Sequence, residues 1–263
     1  MKTLFIPLAY KYVAVAAMLA EINHCADRLQ LPAERPIGQE SLKLIHVANP
    51  YVTGFGGTLE TTNYSFVFFK DGKLRRIQRI NRFERIPLRE LQLEQSHLKS
   101  LISTNDAYQL ATNWLTAISI DIVALENRYH WSVEQKFFYP DATSLDDPPE
   151  KRKRIVLLPI FHVSWGDKSK PAVMVSIFGP TKEMLGIYQN DDSFSQRPKD
   201  LLKDTDALLA IPDEEFLKYS PTERSNLVVR FSAVTYPPLT NELHTLLSQT
   251  NALVQTNASA AKR

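Results

Sequence analysis

Cysteine is almost missing from this chain: Cys25 stands alone among 263 residues. A single thiol excludes an internal disulfide and any metal centre built on several cysteines, and it leaves the redox compartment open. Glycine is nearly as scarce, with eight residues against sixteen prolines. That balance points to punctuated β structure and away from a glycine-rich nucleotide-binding fold. A surplus of one charge is missing too. The 31 basic and 29 acidic side chains leave a formal net charge of +2, which gives no electrostatic footprint for nucleic acid or an anionic membrane. No apolar run reaches the length of a membrane-spanning helix, so no integral membrane segment is expected. What remains, 44% apolar and 23% charged residues, is the make-up of an ordinary globular protein. The length suits one large domain or two small ones.

The familiar signatures of catalysis are also lacking. The six histidines, His24, His46, His97, His130, His162 and His244, show no metal-ligand spacing with one another or with Cys25. There is no G-x-S-x-G elbow, no P-loop lysine and no H-E-x-x-H helix. The glycines at 54–57 open no helix, so their N–H groups have no dipole behind them, and the segment reads as a bend. His162, alternating with Phe161 and Val163, reads as a strand histidine held by a backbone carbonyl. Asp213, Glu214 and Glu215 follow Pro212 at a helix start, where acids favour the N-terminal dipole. Asp191 and Asp192, beside Arg197 and Lys199, read as surface ion pairs, and EF-hand spacing is absent. No catalytic, cofactor-binding or metal-binding residue is assigned, and no cofactor.

What the sequence does have is patterning. In residues 104–128 Ala107, Leu110, Ala111, Trp114, Leu115, Ile118, Ile122 and Leu125 recur at gaps of three and four, the stripe of a helix laid against a sheet. Thr104, Asn105 and Asp106 supply its capping oxygens. At the N-terminus the apolar residues 12–20 fit two readings. One is the h-region of a signal peptide cleaved after Ala20; the other is a folded amphipathic helix over about 12–29 that Pro32 and Pro36 terminate.

Strands are expected at 41–51, at 58–69 and at 73–80, the last two joined by the Asp71-Gly72 hairpin. Lys73, Arg75, Arg76, Arg79, Arg82 and Arg85 read as a solvated strand edge. A short helix is expected at 87–102, then strands at 131–139, 155–165, 172–178 and 183–189. Between the first two of these, 140–154 reads as a loop carrying the basic block Lys151–Arg154. Pro159 implies a bulge or an edge. Trp114, Trp131 and Trp165 all fall on elements and read as core. Helices follow at 201–210, at 213–218, from Ser220 (a Ser220–Glu223 capping box with Pro221 at the first position) and at 239–253. The tail, 255–263, lacks any apolar period.

Two hairpins repeat one another: YSFVFFKDGKLRRIQRI and AVMVSIFGPTKEMLGIYQN. The expected fold class is therefore α+β, an antiparallel sheet wrapped on a central amphipathic helix, with signs of duplication and a helical C-terminal extension. The parts are 1–103 (helix plus hairpin), 104–191 (helix plus antiparallel sheet), 192–254 (helical extension) and 255–263 (tail).

Helix 105–128, a strand, a gap and then AVMVSIFGPTKEMLGIYQND resemble the PepSY-like arrangement of a helix packed on an antiparallel sheet. In that family the final hairpin turns on Thr-Gly-Glu; this chain has Thr181-Lys182-Glu183, with lysine where the glycine usually falls. The resemblance covers 104–191 and, through the repeat, 10–82. It implies a non-catalytic module, often exported and so periplasmic or secreted, that binds or inhibits a protein partner such as a peptidase, and it brings no catalytic residues. Two alternatives stand beside it: a hydrolase or small-ligand enzyme using His162 with Asp191 or Asp192 between the sheet and the C-terminal helices, and a structural subunit of an envelope complex.

Overall fold

The computed structural model describes residues 5–32, 36–53, 56–69, 72–80, 102–138, 158–196 and 201–233. The expected helix at 87–102 (its last residue apart), the loop at 140–154 with its basic block, the helix at 239–253 and the tail lie outside the described residues. The described elements are helical and β-stranded, and every assigned strand pairing is antiparallel. The chain divides into two compact units, Met1–Leu74 with Arg197–Arg263, and Arg75–Gln196.

The first unit is built on helix α1, Leu8–Leu29. Its sequence predicts one apolar stripe, yet sixteen of its 22 residues are buried, so it is covered all round. Strand β1 (Leu44–Val47) lies on it, and Met18 reaches toward Gly57 at the start of β2 (Gly57–Glu60). Helices α5 (Thr205–Leu209), α6 (Asp213–Phe216) and α7 (Pro221–Phe231) also pack on α1. The segment expected as a C-terminal extension thus completes the first core. Residues 12–20, read as a possible export signal, form the buried middle of this helix.

Polar groups fix α1 in place. The Asn23 amide donates to the Ile37 carbonyl at 3.0 Å while its oxygen accepts the Ile37 N–H at 2.7 Å, an imitation of a strand pair by one side chain. The N-cap, Pro7, offers no side-chain acceptor. Asp213 supplies it from elsewhere, its Oδ1 accepting the Leu8 N–H at 2.8 Å. The sequence reading had Asp213 serving only its own helix. On the same side the Tyr12 ring meets Phe216 at 5.6 Å, and the Arg224 guanidinium lies 5.0 Å over Phe216. The Ser220–Glu223 capping box at α7 is present as expected.

Two strand expectations in this unit need correction. The predicted strand at 41–51 shrinks to β1, between a short 3₁₀ turn at Gln39–Ser41 and the one-turn helix α2, Pro50–Thr53. The predicted strand at 58–69 is two strands, β2 and β3 (Tyr64–Phe68). Thr61 Oγ1 accepts N–H bonds from Asn63 and Tyr64 at 3.3 and 3.0 Å, a side-chain-closed turn. Of the expected Asp71-Gly72 turn, Asp71 lies outside the described residues; on either side of it the Phe69 N–H donates to the Lys73 carbonyl at 2.8 Å.

In the second unit the strand order is β4-β8-β7-β6-β5, with β4 Leu74–Arg79, β5 Trp131–Phe138, β6 Leu158–Gly166, β7 Pro171–Phe178 and β8 Glu183–Gln189. β4 pairs along β8, and Arg79 pairs with Glu183. Its basic residues therefore do not line a solvated edge. Register runs unbroken through Pro159, opposite Phe137, and the Pro159 carbonyl accepts Gly179 N–H. The bulges fall instead at Trp165/Gly166 and Ser176/Ile177.

The single helix expected over 104–128 is two: α3, Thr104–Ala117, and α4, Ile122–Arg128. Ser103, not Thr104, is the N-cap, in a reciprocal capping box with Asp106. Ser119 ends α3 at φ 64°. Its N–H bonds to the Thr116 carbonyl and that of Ile120 to the Leu115 carbonyl, a Schellman stop. Asp121 then caps α4 through Ala124 N–H at 2.9 Å. The stripe itself holds. Ala107, Ala111, Leu115, Ile118 and Leu125 are buried and α3 lies on β5, β6 and β7, while Trp114 is half-buried. Along the chain α1 precedes β1–β4, with α2 interposed after β1, and α3–α4 precede β5–β8.

Two measurements test these local devices. Asp213→Ala removes the acceptor at the head of α1 and lowers the unfolding free energy by about 1 kcal/mol in urea, while Asp213→Asn keeps most of it. An unchanged midpoint for Asp213→Ala would sink the capping role. Lys182 turns the β7–β8 hairpin at φ 56°, so Lys182→Gly relieves a left-handed penalty and raises stability by about 0.5–1 kcal/mol.

Candidate functional site

The faces of the second sheet differ sharply. Trp165, Val163, Val173, Val175, Ile177 and Ile187 are buried and share one face by register, the face on which Trp165 meets Tyr108 of α3 at 6.2 Å between ring centroids. The opposite face carries a polar row across four strands: Glu134, His162, Ser176 and Gly186 stand opposite one another in order. His162 Nδ1 and Ser176 Oγ are 2.9 Å apart, so the expected backbone-carbonyl partner is replaced by a hydroxyl. Burial, and after it the Lys136 charge, push the imidazole pKa down, with Glu134 opposing them.

A serine, a histidine and a carboxylate in one row have the composition of a nucleophile relay. Their surroundings do not. Ser176 is only 6% exposed, too covered to meet a substrate carbonyl. Glu134 turns to Lys136 at 3.2 Å. A side chain at Gly186, opposite the serine, would meet the Tyr188 ring and the Ile77 carbonyl. The row reads as a hydrogen-bonded polar stripe.

The alternative pairing of His162 with Asp191 or Asp192 is not brought together. The Asp191 N–H donates to the Ala172 carbonyl, four residues and about 13 Å along β7 from Ser176. Its carboxylate faces Arg128 at 3.5 Å and the Tyr129 hydroxyl at 3.5 Å, and it accepts Ser193 N–H at 3.0 Å. Burial works against ionisation there, and the Ser193 bonds and the Arg128 charge outweigh it, so its pKa lies below the usual carboxylate value. Arg197 and Lys199 lie outside the described residues. Nearby, the Glu126 carboxylate accepts the Tyr108 hydroxyl at 2.5 Å and faces Trp165 Nε1 at 3.5 Å. The Glu126 bond holds the Tyr108 proton, raising that phenol to about 12. Trp131 stacks on Tyr108 at 4.5 Å but is 43% exposed, so it is not core.

Among the described residues, the backbone groups that face no neighbouring strand are on the outermost strands. β1 has β2 as its neighbour among the described strands, and β5 has β6. On β1, Leu44 and Ile45 are 44% and 38% exposed, and Tyr51 on α2 is 48% exposed. The bond from Ala48 N–H to the Gly56 carbonyl sets the alternation: His46 and Ala48 turn their amides to β2, and Ile45 and Val47 turn theirs outward. On β5 the bond from Gly166 N–H to the His130 carbonyl, with Trp131 opposite Trp165, does the same. Ser132, Glu134 and Lys136 bond to β6; the N–H and C=O groups of 131, 133, 135 and 137 point away from it. Sequence reasoning did not single out these edges, because the pairing partners of a strand are not written in its own pattern.

Among the described residues no group of three or more His, Cys, Asp and Glu side chains is placed to hold a metal ion, and no helix is long and apolar enough to cross a membrane. Comparison with family models, with curated proteins and with solved structures finds no match to this chain.

The depressed His162 pKa makes a signed prediction. Below about pH 6.5 the unfolded chain takes up a proton that the folded histidine resists, so this contribution is complete above that pH and lost as pH falls through it. The wild type therefore loses more stability between pH 7.5 and 5.5 than His162→Gln does, read as the difference in urea midpoints. Parallel pH profiles for the two would show that the imidazole is not held neutral.

Proposed function

We propose that this chain is a non-catalytic, PepSY-like binding module that takes an extended segment of a protein partner, of the peptidase kind that the resemblance implies, along the outer edge of β1. The observation that carries this reading is the state of that edge. Its main-chain donors and acceptors at Ile45 and Val47 face outward, and exposed Leu44 and Ile45 lie on its two faces. A strand added there gains ladder hydrogen bonds from the backbone and apolar contacts from alternate side chains, the division of labour in recognition by β-augmentation. Tyr51, just beyond the strand, extends the apolar surface. The left-handed Lys182 supports the family likeness, since it holds the backbone conformation that a glycine adopts without strain.

The test uses a photoreactive benzoylphenylalanine at position 51 in producing cells. It yields a covalent protein adduct, and Ile45→Pro abolishes that adduct. The substitution deletes an outward N–H that β2 does not use, so the thermal midpoint stays close to wild type. An adduct that survives Ile45→Pro would rule out strand addition at β1. A metabolite or metal that raises the midpoint, with the rise lost in His162→Ala, would move the assignment to an enzyme.

A further inference from the structure

β5 differs from β1 in chemistry. It is the outermost of five strands in its unit, eight residues long, without proline, and it reads Trp131-Ser-Val-Glu-Gln-Lys-Phe-Phe138. Natural sheets guard such edges with prolines, bulges or charges of one sign that repel a second strand. Here the two charges are of opposite sign and two residues apart. Glu134 and Lys136 lie on one face, 3.2 Å from each other and more than half exposed.

We infer that β5 pairs with β5 of a second copy of this chain, antiparallel, about a two-fold axis at Gln135. Three constraints fix this register. The outward backbone groups belong to 131, 133, 135 and 137, so an added strand must bond to those positions. Centring on Gln135 makes Gln135 a doubly bonded pair with its own copy and sets Val133 in a bonded pair with position 137 of the other chain. Glu134 then stands opposite Lys136 of the second copy, and Lys136 opposite Glu134. These are non-hydrogen-bonded pairs, in which side chains stand closest. Centring on Glu134 or Lys136 would set like charges face to face, and centring on Val133 would leave Glu134 opposite Ser132. The two intrastrand ion pairs, one in each copy, are thus exchanged for two between copies, and the interface is isologous, as a closed dimer requires. Joined at their β5 edges, the sheets of the two copies become continuous, with α3 of each copy on the same face.

Sedimentation velocity over the micromolar range tests the pairing. The wild type dimerises. Glu134→Lys places lysine against lysine twice, and Lys136→Glu does the same with carboxylates, so each variant alone associates about tenfold or more weakly. Mixing the two restores the dimer, because every opposed pair is again of opposite sign; the double variant Glu134→Lys/Lys136→Glu also dimerises. Both positions are solvent-facing, and circular dichroism verifies that each variant is folded. Gln135→Pro, which deletes an outward N–H, stays monomeric. A monomeric wild type, a dimer unaffected by either charge reversal, or single variants that fail to recover on mixing would each overturn the assignment. Ile45→Pro leaves this dimer intact, which separates it from partner capture at β1.

Discussion

A strand with one neighbour satisfies half of its backbone hydrogen-bonding groups and turns the other half outward, and that constraint governs what this protein offers to other molecules. Each unsatisfied N–H or C=O must find water or another chain. In this fold two strands carry that condition among the described residues, β1 and β5, and each can be read group by group because a single bond beyond the strand end fixes its alternation. The chemistry then diverges. β1 sets apolar side chains beside its free groups, which suits a foreign extended segment. β5 sets a glutamate and a lysine at mirror positions about Gln135, which suits itself.

The edges keep their geometry only because the elements behind them are held. In the first unit α1 packs against β1 and against three short helices. None of α5, α6 and α7 is long enough to be stable alone; they persist by packing on α1, and α6 in return caps its first turn through Asp213. In the second unit α3 covers one sheet face, with alanines at 107 and 111 where it lies on the strands. Small residues there let the helix approach closely, while the Schellman stop at Ser119 and the Asp121 cap redirect the chain into α4.

Much of this was legible in the sequence, and what was not has a common cause. The periodic stripe of 104–128, the Ser220–Glu223 box and the strand pairs around 160–189 all depend on residues close in sequence, and all are present. The helix break at 118–121 was invisible because glycine is scarce. The left-handed positions after α1 and α3 and in the β7–β8 turn fall on Gln30, Ser119 and Lys182, residue types that give no such signal. The split of 58–69 went unseen because Thr61 closes its turn with a side-chain oxygen, without glycine or proline. Asp213 shows the other limit: its carboxylate serves a helix 205 residues away, and no window along the chain contains both partners.

The candidate site follows the same logic. His162 drew attention as a histidine in an apolar strand, and its true neighbours, Ser176 and Glu134, lie 14 and 28 positions away, joined to it only by register. That register supplies the composition of a relay and, in the same stroke, removes the means of using it. Each member of the row is held by strands on both sides or by a charge alongside, and the serine is covered. A catalytic serine needs the opposite arrangement, an exposed oxygen beside donors aimed at a developing charge. Among the described residues, backbone groups without a neighbouring strand lie where the ladder stops, at β1 and β5, and not in its polar centre.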